Sequence, residues 1–112
     1  MITDCYYILI DKKPVACNDT TLWLKYQSET SRVVDRTSFG EVEVSTVFLG
    51  WEHGKDEGVP ILFETLVFGG EYDGYMLRYT SWDDAVNGHE EVCKMVNKVA
   101  IERENKLSDL GL

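Results

Sequence analysis

Proline is almost missing from this chain of 112 residues, with 2 in all, so Pro-rich linkers are excluded. Cysteine is scarce too. Its 3 copies, Cys5, Cys17 and Cys93, are odd in number and spaced for neither a zinc site nor a dithiol redox motif. They predict a reducing compartment, with Cys93 as a small apolar filler on a helix. Basic residues are few: 11 Lys and Arg stand against 20 Asp and Glu, for a net charge of -9. Such a surface is repelled by phosphate backbones and by anionic lipid, which argues against direct nucleic-acid or membrane binding. The acids are not gathered in a tail: 10 fall before residue 61 and 10 after it. The charge has two readings: a plain solvated surface, or a face for a basic protein surface, including one that normally holds DNA or RNA. Long hydrophobic runs are lacking, so no membrane span is expected. The opening Met-Ile-Thr-Asp-Cys has no basic or long apolar region, and a signal peptide is not expected either. Together these features predict a cytoplasmic protein.

What is present is ordinary for a globular domain: 44% hydrophobic and 28% charged residues. The length fits one domain, read as residues 1–104, followed by a flexible tail over 105–112. Tyr6 to Ile10 and Pro14 to Cys17 read as a hairpin turning at Asp11-Lys12-Lys13. Pro14 donates no ladder hydrogen bond and marks an edge. Asn18 and Asp19 offer caps for a short helix over Thr20 to Glu29, docked by Leu22, Trp23 and Tyr26. Strands follow over Arg32 to Thr37 and Glu41 to Leu49, with Ser38-Phe39-Gly40 as the turn. Gly50 to Pro60, with three glycines and four charged residues, reads as a loop without strand or helix. Ile61 to Phe68 and Tyr75 to Tyr79 complete the strands. Ser81 caps a long helix whose buried stripe is Trp82, Ala85, His89, Val92, Val96 and Val99, with fraying expected after Arg103. The order predicts an α+β fold: one antiparallel sheet of five to six strands, a short helix after the first hairpin, and a long C-terminal helix packed on one face.

Glu64 does not fit this pattern. It lies mid-strand in Ile-Leu-Phe-Glu-Thr-Leu-Val-Phe, on the same face as Leu62, Leu66 and Phe68. A hairpin centred near Lys55 sets Thr46 opposite Glu64 and Ser45 opposite Thr65. A carboxylate among apolar neighbours needs a hydrogen bond or a cation. His89, the one titratable residue on the last helix's apolar stripe, is the expected partner. The resulting set, Ser45, Thr46, Glu64, Thr65 and His89, has three readings: an acid/base or ligand site with Glu64 and His89 as catalytic candidates, a structural tie between helix and sheet, or a Glu64 facing water. His53 with Asp56 or Glu57 matches no metal spacing, and neither metal nor cofactor is expected. No nucleophile elbow or phosphate loop is present. Trp51, Tyr72 and Tyr75 are aromatics suited to anchoring an interface.

Three runs, Val-Glu-Val-Ser-Thr-Val-Phe-Leu-Gly (from Val42), Leu-Phe-Glu-Thr-Leu-Val-Phe-Gly-Gly (from Leu62) and Tyr-Thr-Ser-Trp-Asp-Asp-Ala-Val-Asn-Gly-His (from Tyr79), resemble a group of small bacteriophage and prophage proteins without assigned activity. The resemblance covers Arg32 to Val92. It implies a phage-type origin and a bacterial host cytoplasm, and it carries over no catalytic residue. The preferred expectation is a non-enzymatic accessory protein that binds a host or phage protein, such as a counter-defence inhibitor acting through its acidic surface. A small-ligand or hydrolase-like protein built on Thr46, Glu64 and His89 is the second expectation. A structural or virion component that oligomerises through a sheet edge is the third.

Overall fold

The computed structural model describes residues 5–111. Met1 to Asp4, part of the stretch read for a signal peptide, and the last residue of the tail lie outside the described residues. The fold is α+β. Strands β1 (Tyr7–Ile10) and β2 (Lys13–Ala16) form a hairpin, and helix α1 (Thr20–Glu29) follows. Then come β3 (Val33–Phe39), β4 (Val42–Phe48), β5 (Lys55–Asp56), β6 (Val59–Pro60), β7 (Phe63–Phe68), β8 (Met76–Tyr79) and helix α2 (Trp82–Asp109). The main sheet has four antiparallel strands in the order β3-β4-β7-β8, and β1-β2 and β5-β6 are separate two-stranded pairs. Helix α2 packs across all four strands of the main sheet.

Each helix begins where a side chain replaces a missing backbone partner. Asp19 accepts from the Leu22 amide at 3.0 Å, and Ser81 accepts from the Asp84 amide at 3.1 Å. Helix α1 is held by two aromatics: Trp23 Nε1 donates to the Gly50 carbonyl at 2.9 Å, and the Tyr26 hydroxyl accepts from the Leu9 amide at 3.2 Å. Leu22 points outward and is 49% exposed, so it does not share in the docking expected of it. On α2 the stripe of the sequence pattern is realised, with Ala85, His89, Val92 and Val96 buried.

Two expectations are corrected. The Gly50–Pro60 segment contains the small hairpin β5-β6, whose Glu57 and Gly58 both take positive φ, 49° and 80°. Two residues in that conformation reverse the chain tightly enough for a pair of short strands to form despite the charge. Helix α2 does not end near Arg103 but continues as helix to Asp109, through most of the stretch read as a frayed tail.

The core has two apolar clusters. Val44, Val67, Val92 and Val96 form one; Phe48, Leu62, Phe63 and Ala85 form the other. Fully burying a side chain of the size of Phe48 or Phe63 contributes about 1.5–3 kcal/mol. Between the clusters, Thr46 on β4, Thr65 on β7 and His89 on α2 occupy the intervening inward positions, all buried.

Candidate functional site

The polar layer is a chain of hydrogen bonds. Thr46 and Thr65 are cross-strand partners, and their hydroxyl oxygens are 2.5 Å apart. Thr46 Oγ1 lies 2.7 Å from His89 Nδ1, and Thr37 Oγ1 lies 2.9 Å from His89 Nε2. The Tyr79 hydroxyl donates to Thr65 Oγ1 at 3.0 Å. Asp35, opposite Thr46 and in phase with Thr37 and Phe39, shares the inner face, and its carboxylate lies 3.6 Å from Nε2.

Proton positions follow from what each group offers. A carboxylate only accepts, so the ring nitrogen facing Asp35 and Thr37 carries the hydrogen. Nδ1 then accepts from Thr46, Thr46 accepts from Thr65, and Thr65 accepts from Tyr79. Every member of this run is satisfied. Burial pushes the His89 pKa below 6.5, outweighing the opposing pull of Asp35 and Glu90, so the ring is neutral near pH 7. Burial likewise raises the Tyr79 hydroxyl above its ordinary 10.0, despite the Thr65 hydrogen bond, and raises the neighbouring Cys93 thiol.

Gly88 makes this layer fit. A Cβ there would come within 2.2 Å of the Tyr79 ring and hydroxyl, so only a residue without one lets the ring slide against α2 and reach Thr65.

Glu64 is not part of this layer. Its partner across β7-β8 is Arg78, and the Arg78 Nε donates to Glu64 Oε2 at 3.1 Å. The expected register was off by one residue: Thr46 pairs with Thr65 and Val47 with Glu64, so Glu64 points to the face away from α2. The structure therefore does not bring Glu64 and His89 together. Ser45 is on that same outer face, opposite Leu66 and Arg36, and is buried at the strand level by its neighbours. Of the five residues singled out, Thr46, Thr65 and His89 meet; Ser45 and Glu64 do not join them. Thr37 and Tyr79 complete the layer and were missed. Both lie at inward strand positions, one on β3 and one on β8, which was the signal available.

The interface aromatics separate as well. Tyr72 and Tyr75 pack edge-on at 6.1 Å beyond the β7 end, with Tyr72 beside Phe39 and Val42. Trp51 is at the opposite end of β4, where Gly50 to Glu52 leave the sheet to meet the N-terminal segment: the Tyr7 amide donates to the Gly50 carbonyl, and the Glu52 amide to Cys5. There Tyr6, Trp23 and Trp51 line an open cleft of about 440 Å3 together with Cys5 and Glu52. The Tyr6 and Trp23 rings are 4.6 Å apart, and Trp23 and Trp51 6.2 Å. Trp51 is 47% exposed and stacks on His53 at 5.4 Å.

Among the described residues no three His, Cys, Asp or Glu side chains are grouped to hold a metal, and no helix is long and apolar enough to cross a membrane. Compared with protein-family models, curated proteins and solved structures, the chain matches none.

Proposed function

We propose that this is a non-enzymatic accessory protein of phage type that binds a basic protein surface, with the Trp51 cleft as its anchor and counter-defence inhibition as the role. The observation that carries this reading is the cleft itself. Three aromatic rings and Glu52, whose carboxylate lies 4.0 Å from Lys55 Nζ, line open space in a chain of net charge -9. Aromatic faces attract cations through their quadrupole, best for Trp, and a neighbouring carboxylate adds to the attraction. A Lys or Arg side chain from a partner is the group that uses both. The overall negative field speeds and orients the encounter, while the ring contacts fix it. The site in this reading is Trp51 with Trp23, Tyr6 and Glu52; Tyr72 and Tyr75, at the other end of the sheet, belong to a different surface. The hydrolase-like alternative draws no support from the geometry, because Glu64 and His89 lie on opposite faces of the sheet and the fully buried Thr46 meets no cleft.

Affinity capture from host and infected-cell lysates tests the proposal. The wild-type chain is expected to retain one basic protein in stoichiometric amount, with Trp51→Ala losing it and Glu52→Gln weakening it. Recovery of no stoichiometric partner, or equal recovery by Trp51→Ala, overturns the proposal.

A further inference from the structure

The last buried residue of α2 is Val96; from Asn97 to Asp109 the helix runs past the sheet. At 28 residues α2 is about 42 Å long, while a seven-residue strand such as β4 covers only about 23 Å. The overhang carries Ile101, Leu107 and Leu110 at 48%, 45% and 66% exposure. A projecting helical stretch of this length is marginal in water unless an apolar face is covered. Where the overhang leaves the sheet, Val96, Ala100 and Leu107 form one wall of a groove of about 240 Å3, and Phe39, Val42 and Tyr72 form the other.

Charge identifies what covers it. The overhang holds Lys98, Arg103 and Lys106 against Glu102, Glu104 and Asp109, so it is neutral, while the rest of the chain holds 8 basic and 17 acidic residues. Two copies repel each other over most of their surfaces, but not here. Ala100, Arg103, Leu107 and Leu110 recur at spacings of three, four and three, the seam of a two-helix contact.

We infer that two copies of this chain pair through antiparallel overhangs about a two-fold axis near Arg103 and Glu104. In that register Ala100 meets the second copy's Leu107 and Arg103 meets its Glu104, and each contact occurs twice. The tip of each helix, with Leu110, fills the groove beside Phe39 and Tyr72 of the other copy. The pairing is independent of the Trp51 cleft, which lies at the opposite end of β4, so both copies keep that cleft open.

Sedimentation of the full chain over a range of concentrations is the test, with circular dichroism to check folding. A monomer–dimer equilibrium is expected, and Leu107→Glu should raise its Kd by about 30-fold or more, as losing a central apolar contact does. Arg103→Glu should weaken the dimer and Arg103→Glu with Glu104→Arg should restore it, which decides the matter should Leu107→Glu not fold. A chain monomeric at about 100 μM, a dimer unchanged by Leu107→Glu, or a double variant no better than Arg103→Glu overturns the inference.

Discussion

On the inner face of the sheet, Thr46, Thr65 and His89 share hydrogen bonds away from water; one residue along, on the outer face, Glu64 and Arg78 meet in partial contact with it. Both are polar groups in the middle of strands, but their energetics differ. An exposed ion pair is screened and its loss costs little, since water replaces the partner. A buried hydroxyl or imidazole that loses its partner bears the full cost of desolvation. The inner layer also fixes register. A slip of one residue between β4 and β7 would set Thr46 against a neighbour that offers the wrong face, and the whole run from Tyr79 to His89 would come apart. Polar residues in this core therefore select one strand pairing, while those outside it tune the surface.

Substitutions should break the comparison in a definite order. His89→Ala removes the hub of the layer and leaves a cavity with two hydroxyls lacking their imidazole partner, for an expected loss of about 3 kcal/mol or more in denaturant unfolding. Gly88→Ala pushes a methyl into the Tyr79 ring and is expected to cost about 1–3 kcal/mol, even though alanine favours helix. Thr46→Val preserves shape but leaves Nδ1 without a donor, at about 1–2 kcal/mol. Glu64→Gln, on the outer face, should cost less than about 1 kcal/mol. An outer-face loss as large as the His89 effect would erase the distinction between the two faces.

Acid sharpens the same contrast. The folded pKa of His89 is lowered, so below the ordinary value of 6.5 the unfolded chain takes up a proton that the folded chain resists. The stability from this residue is complete above that value and is lost as pH falls from it toward the folded pKa. His89→Gln, which does not titrate, should flatten that part of the stability–pH curve, and Glu64→Gln should leave it in place. Equilibrium unfolding at matched pH values measures the difference.

Most of the architecture was legible because it rests on local signals. Asp19 and Ser81 cap their helices, and the Ala85-His89-Val92-Val96 spacing marks the buried side of α2. The alternation of Val42, Val44, Thr46 and Phe48 was read to the correct face. The partner of Thr46 was not legible, because register depends on the whole connection between β4 and β7. A single hairpin about Lys55 was assumed. Instead the chain turns at Glu57 and Gly58, and Gly50 to Glu52 are diverted to hydrogen-bond with the N-terminal segment. The net offset is one residue, and with period two that is enough to send Glu64 to the opposite face. The Trp51 cleft was only half visible: an exposed tryptophan was anticipated, but its meeting with Tyr6 and Trp23 is a long-range contact that no local pattern announces.

The polar layer is a buried structural element whose imidazole stays neutral with its hydrogen on Nε2. Nitrogen-15 NMR of the His89 ring through a pH titration tests it most directly. A protonated Nε2, an unprotonated Nδ1 and a ring that titrates below pH 6.5 in the folded protein are expected. A ring carrying its hydrogen on Nδ1, or titrating at or above the ordinary histidine value while the protein remains folded, would contradict it.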